Sequence, residues 1–237
     1  MRMKRIAIAC SSRSKPAEAP CLHLAPFPRT SRLALMPGLA FLLAPGAGAP
    51  SSHPRMRTLA GRLGTIGAVQ PFDYPYASEG RRRPDPLPKL IAAHRAALVE
   101  LRAKHEGPIV LAGKSMGGRV GCHVALADPA QAVICFGYPL CSAGDRSKLR
   151  DQVLLELKVP ILFAQGTRDP LCPLDLLESV RRRMNAPSTL YAVEGGDHSL
   201  IVSTTTLKAL GSSQEEVDAS MLSAIARFLK GVLNQSL

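Results

Sequence analysis

From residue 38 onward the chain alternates short apolar runs with stretches whose apolar positions recur every three or four residues. The runs fall at 39–44, 68–73, 109–112, 132–136, 161–165 and 190–193, each bounded by Gly, Pro, Asp or Ser, and predict six strands. Residues 54–63, 88–105, 117–127, 147–157, 173–185 and 214–234 carry the helical period. In the last of these Val217, Met221, Leu222, Ile225, Phe228 and Leu229 form one stripe, the mark of a helix laid against a core. Strands that alternate with helices must be joined by crossovers, so the pattern predicts an α/β fold: a mostly parallel sheet of about six strands with helices on both faces. Ligands of such sheets bind outside the carboxyl ends of the strands, which directs attention to the residues just after each run.

Residues 1–35 do not share this pattern. They carry Arg2, Lys4, Arg5, Arg13, Lys15, Arg29 and Arg32 against Glu18 alone, half of the chain's net charge of +12. We read 1–35 as a basic tail or upstream extension and 36–237 as the folded domain. The other basic clusters are Arg81–Arg82–Arg83 in a Pro-rich loop and Arg181–Arg182–Arg183 on a helix face. Neither is interleaved with aromatics on which bases could stack, and short runs of this kind are solvated faces, so no nucleic-acid partner is expected. The uncharged stretch 33–54 is broken by Pro37, Gly38, Pro45, Gly46, Gly48 and Pro50, which argues against a membrane span, and Ile6–Ala9 is too short for a signal peptide. Cys10, Cys21, Cys122, Cys135, Cys141 and Cys172 form no C-x-x-C pair and no metal-ligand spacing. They read as reduced thiols of a cytoplasmic protein.

The candidate chemistry lies at the strand ends. After the third run comes Gly113-Lys114-Ser115-Met116-Gly117, a G-x-S-x-G segment between a strand and a helix, where a sharp turn lifts the Ser115 hydroxyl above the sheet. A serine hydroxyl needs a base to take its proton and a third group to orient that base. His198 follows the last run in Glu194-Gly195-Gly196-Asp197-His198, and Asp169 follows the fifth in Gly166-Thr167-Arg168-Asp169-Pro170. Ser, acid and His thus occur in the order that this kind of sheet requires. Asp145 is the alternative acid, and His53 the alternative base. Backbone donors for a developing oxyanion are expected at Met116 and, in the Gly-rich loop after the first run, at Ala47.

Two other motifs are suggested and then fail. Gly113-Lys114-Ser115 lacks the earlier glycine of a phosphate-binding loop, since Pro108 stands there and 109–112 reads as strand. Gly46-Ala47-Gly48 with Asp73 suggests a dinucleotide site, but Ser51 replaces the third glycine.

Taken together, the segments PGAGAPSSHP (45–54), FDYPY (72–76), AGKSMGGRV (112–120), CFGYPL (135–140), LRD (149–151), GTRDPLCP (166–173) and GGDHSL (195–200) resemble the dienelactone-hydrolase-like α/β-hydrolases. Within that superfamily they are most similar to the branch of testis-expressed and non-specific-lethal-complex-subunit hydrolase-like proteins. The resemblance implies an α/β-hydrolase sheet with Ser115, Asp169 and His198 as the catalytic triad. The chain departs from it in two places. Pro45 stands where the family commonly has His, and Ser115 stands where dienelactone hydrolases proper have Cys.

The expected activity is cleavage of an ester, thioester or similar acyl bond in a small molecule, with no metal or organic cofactor. The alternative is a non-catalytic module on the same fold, serving a protein partner. The 140–160 connection is too short for a large lid, so the pocket should be open and rimmed by Asp73, Tyr74, Tyr138 and Pro139.

Overall fold

The computed structural model describes the backbone of residues 21–22, and residues 35–234. The strands are β1 (Cys21–Leu22), β2 (Ala40–Ala44), β3 (Ala68–Pro71), β4 (Ile109–Lys114), β5 (Ala132–Phe136), β6 (Ile161–Gly166) and β7 (Ser188–Val193). They form one sheet in the order β1-β7-β6-β5-β4-β2-β3, with every neighbouring pair parallel. Six of them are the expected runs. The two-residue β1 adds an edge beside β7 and falls within the segment read as a tail; the rest of 1–34 lies outside the described residues.

The helices are α1 (Pro54–Leu63), α2 (Pro75–Ser78), α3 (Leu87–Arg102), α4 (Met116–Ala125), α5 (Gln152–Glu156), α6 (Leu174–Arg181), α7 (Thr204–Leu210) and α8 (Gln214–Asn234). Side chains alternate across each strand, so Phe41, Leu43, Val110, Ile134 and Leu162 meet α1 and α8 on one face. Ala40, Leu42, Leu111, Val133 and Phe163 meet α3, α4, α5 and α6 on the other. Burial on both faces explains why β2, β5 and β6 read as unbroken apolar runs rather than as alternating patterns. Among the described residues, no helix is long and apolar enough to cross a membrane.

The helical pattern differs from expectation in three places. The helix expected at 147–157 shrinks to α5 because Arg150 is tied down: its N–H donates to the carbonyl of Leu140 and its guanidinium to those of Pro139 and Cys141. The chain before α5 is held as a loop. Helix α2 is a single turn opened by Pro75, and α7 buries none of its residues, so neither writes an apolar stripe into the sequence.

Strand β2 sits between β3 and β4, and the chain crosses back over it to reach β4. Loops leaving the carboxyl ends of β2 and β4 therefore part toward opposite faces, which opens a crevice between them. The β2–β4 register pairs Ala44 with Gly113, so the loop after β2 begins beside Ser115.

One ionisable group is sealed into the packing near that crevice. His94 of α3 is fully buried, with Nδ1 hydrogen-bonded to the Tyr74 hydroxyl at 3.1 Å and Nε2 without a partner among the described residues. Burial alone lowers its pKa from 6.5 to about 3. The folded protein thus holds the ring neutral at a pH where the unfolded chain protonates it. The unfolded state binds more protons, so stability falls as pH drops from 6.5 toward 3, by at most about 1.4 kcal/mol per pH unit. Replacing His94→Gln should flatten the stability profile between pH 6.5 and 5, measured by urea unfolding, where carboxylates stay ionised. A slope that survives the substitution would belong to another group. A second expectation concerns the domain boundary at 36. A chain beginning at Met36 loses only the β1 pairing among the described contacts and should melt within about 4 °C of the full chain. A loss of about 10 °C or more would mean that the preceding segment contributes to the core.

Candidate active site

Ser115 is the turn between β4 and α4, with φ 49° and ψ −115°, a left-handed conformation that only the surrounding packing can enforce on a residue with a side chain. Its N–H donates to the carbonyl of Phe136 at 3.0 Å, and its own carbonyl accepts from the Arg119 N–H at 3.1 Å. Gly117 is required here, because a Cβ at that position would collide with the carbonyls of Ala44 and Pro45. As the first residue of α4, Met116 has an N–H with no carbonyl one turn back to receive it.

His198 springs from the loop after β7, three strands from β4. Its loop lies flat across the ends of β6 and β5. A Cβ on Gly166 would strike the carbonyls of Gly196 and Asp197, and one on Gly137 would strike that of His198. The imidazole so delivered has Nε2 2.8 Å from Ser115 Oγ and Nδ1 2.7 Å from Asp169 Oδ2. Asp169 is 3 % exposed and needs further donors. Oδ1 accepts from the Leu171 N–H at 2.8 Å, and Oδ2 from Gln165 Nε2. The Gln165 carbonyl oxygen in turn accepts from the Tyr138 N–H at 2.9 Å. Of the expected site residues, the structure therefore brings Ser115, His198 and Asp169 into one hydrogen-bonded line.

The alternatives are engaged elsewhere. Asp145 accepts from the N–H and hydroxyl of Ser147, and His53 caps α1 by accepting from the Arg55 N–H. The expected rim requires correction. Tyr74 is fully buried, bonded to His94 and edge-on to Phe72, while Tyr138 is fully buried against Phe163 with its hydroxyl donating to the Arg150 carbonyl. Pro139 is buried too. Placement at a strand end did not settle which way these rings turn, and their hydroxyls found partners in the interior. Asp73 is half-buried and accepts from the N–H and hydroxyl of Ser51 at 2.6 and 2.8 Å. It ties down the 45–53 loop, as does Tyr76, whose hydroxyl donates to the Ala47 carbonyl at 3.2 Å. These two contacts hold the loop that carries Pro45. Ala47 itself is exposed on that loop, and a Cβ built on the preceding Gly46 would lie 3.6 Å from Ser115 Cβ.

Several contributors were not foreseen from the sequence. Gln165 had a signal, a lone amide at the end of an apolar strand. Arg55 and Asp218 had none, being 163 residues apart. Their side chains, 10 % and 4 % exposed, pair through two hydrogen bonds of 2.6 and 2.9 Å. Arg55 also donates to the carbonyls of Ser199 and Leu200, and Gln214 joins the Leu200 carbonyl to Asp218. The loop bearing His198 is thereby fastened to α1 and α8. Lys114, beside the serine, is lowered to about 8 by burial, with Asp169 and Asp197 opposing that shift.

Breaking a buried ion pair from one side leaves an uncompensated charge and costs about 3–5 kcal/mol. Arg55→Met should accordingly lower the melting temperature by about 10 °C. The double change Arg55→Met with Asp218→Leu should recover part of the loss, and a single variant that melts like the parent would contradict the role given to this pair.

With this geometry in view, comparison with known proteins is informative. A family model described as an alpha/beta hydrolase domain matches residues 37–230. An alpha-beta serine hydrolase homologue from Coxiella burnetii superposes with a TM-score of 0.62 at 18% identity, covering 78% of this chain and 86% of its own. The esterase domain of a Rhodothermus marinus protein gives 0.57 at 20%, covering 81% and 87%. A thioesterase from the prodiginine biosynthetic pathway in Streptomyces coelicolor gives 0.53 at 19%, covering 81% and 95%. At these identities the structural likenesses speak for the fold, while the family match spans most of the chain: this protein belongs to the alpha/beta hydrolase family.

Proposed function

We propose that the chain is a serine hydrolase that cleaves an ester, thioester or similar acyl bond, with Ser115 as nucleophile, His198 as general base and acid, and Asp169 as the group that orients His198. The observation that carries this reading is the unbroken hydrogen-bonded line from Asp169 through His198 to Ser115. Asp169 accepts from Nδ1–H and so leaves Nε2 free to take a proton.

In the first half-reaction Ser115 Oγ bonds to the carbonyl carbon as its proton passes to His198 Nε2. The carbonyl oxygen becomes an oxyanion, received by the N–H groups of Ala47 and Met116. When the tetrahedral species collapses, the bond to the leaving oxygen or sulfur breaks and the leaving group takes the proton from Nε2. A water molecule then attacks the acyl-Ser115 ester, gives its proton to Nε2, and the second collapse returns that proton to Ser115 Oγ. The net change is acyl compound plus water to carboxylic acid plus alcohol or thiol.

Family membership and neighbours named as an esterase and a thioesterase support the acyl class. The motif resemblance at 112–120, 166–173 and 195–200 supports the dienelactone-hydrolase-like branch. A reducing, cytoplasmic setting is consistent with Cys122 and Cys135, whose sulfurs lie 3.9 Å apart as free thiols.

An activated serine reacts covalently with phosphonate probes, whereas an ordinary one does so negligibly. We expect stoichiometric labelling at Ser115, lost in Ser115→Ala and greatly slowed in His198→Ala. Asp169→Asn should lower turnover of a short-chain ester by roughly 10⁴-fold while the protein stays folded, and Asp145→Asn should be mild. Folded protein whose Ser115 stays unlabelled at high probe concentration would overturn the enzyme and leave a non-catalytic interaction module.

A further inference from the structure

The 45–53 loop, which begins beside Ser115, also runs along the surface near Tyr76. There it forms one wall of a surface groove of about 550 Å³, lined by Ala47 and Pro50 on one side and by Tyr76, Arg81 and Arg82 on the other. An adjoining hollow of about 610 Å³ shares Arg81 and Arg82 and adds Arg83. The three arginines are not equivalent. Arg81 is held by Glu79 and Asp85, with hydrogen bonds of 2.7 and 2.9 Å, and Lys89 shares Asp85. Asp73, a nearby carboxylate, is taken up by Ser51. Arg82 and Arg83 are exposed, and no ion pair holds either of them among the described residues.

Arg82 in the groove and Arg83 in the adjoining hollow thus stand without an ion pair, and the loop that walls the groove on its other side begins beside Ser115. The apolar part of the groove's lining comes from Tyr76 and from small residues, Ala47, Ala49, Pro50 and Ala77. Beside it the arginines offer planar, multidentate N–H donors, the geometry that fits phosphate oxygens. The chain's net charge of +12 adds a long-range field favouring an anion.

We propose that this groove receives the leaving group of the substrate, and that this leaving group carries phosphate, with Arg82 and Arg83 as its anion contacts. The substrate class is then an acyl thioester or ester whose carbonyl lies at Ser115 and whose thiol or alcohol bears phosphate at its far end. This assignment rests on the serine-hydrolase reading and is testable apart from it.

The decisive comparison uses two thioesters with the same acyl group and the same reacting bond, acetyl-coenzyme A and S-acetyl-N-acetylcysteamine. The second lacks the phosphates together with the pantoyl and adenosine parts that carry them, and the arginine variants isolate the phosphate contribution. The full chain should turn over the coenzyme A thioester with a kcat/KM about tenfold higher or more, through KM, and raised salt should narrow the gap. In the Arg82→Gln, Arg83→Gln double variant the ratio between the two substrates should collapse toward one. Desulfo-coenzyme A, which cannot react, should bind the Ser115→Ala protein in calorimetry and bind about tenfold more weakly once both arginines are replaced. If Ser115 accepts the phosphonate probe but the two thioesters are hydrolysed alike, or the ratio survives the double variant, the groove assignment falls and the hydrolase reading stands. If a short oligonucleotide displaces desulfo-coenzyme A while the two thioesters react alike, the groove serves nucleic acid and the assignment falls. If Ser115 is unreactive, the hydrolase reading falls and takes the leaving-group assignment with it.

Discussion

The strand that leads to His198 lies three places from the strand that leads to Ser115, a span of about 14 Å at the usual strand spacing. An imidazole reaches only a fraction of that, so the loop after β7 has to carry its backbone across the ends of β6 and β5. It can do so only where those strands end without side chains, and Gly166 and Gly137 are the places where it passes. The same crossing brings His198 over Asp169, which follows β6, before it reaches Ser115. One steric requirement at the sheet edge thus sets both hydrogen bonds of the line.

A loop that travels so far has to be held at its outer end, and here the support is polar. Arg55 reaches from the start of α1 to two successive carbonyls of the loop and is itself held by Asp218 of α8. Burial raises the cost of any unpaired member, so the group behaves as a unit: each partner is needed because the others are already out of water. The 45–53 loop on the other side of the crevice is held by the same means, through Asp73 and Tyr76. The two walls flanking Ser115 are therefore anchored independently, one to α1 and α8, the other to the segment after β3.

What could be read in the sequence follows from the range of each interaction. The central strands β2, β5 and β6 were legible because burial on both faces writes continuous apolar runs, and Ser115, Asp169 and His198 were legible because each follows an expected strand at its carboxyl end. Helix α8 declared itself by its stripe, whereas α7, which buries nothing, could not. Tyr74 and Tyr138 were assigned to the rim by position alone. Side-chain direction depends on partners such as His94 and the Arg150 carbonyl, which no local pattern reveals. The Arg55–Asp218 pair joins the two ends of the domain and leaves no trace in either neighbourhood.

The left-handed turn at Ser115 has a consequence for the history of such a chain. A side chain in that backbone region costs of order 1–3 kcal/mol, a sizeable share of the margin by which a domain stays folded. Glycine adopts the same turn without the penalty, and a single codon change supplies it. Selection for folding alone therefore pulls position 115 toward glycine, and only selection on a reacting hydroxyl pulls it back. A lineage that ceased to use the hydroxyl would drift to glycine there first, while His198 and Asp169, unstrained, lingered as relics.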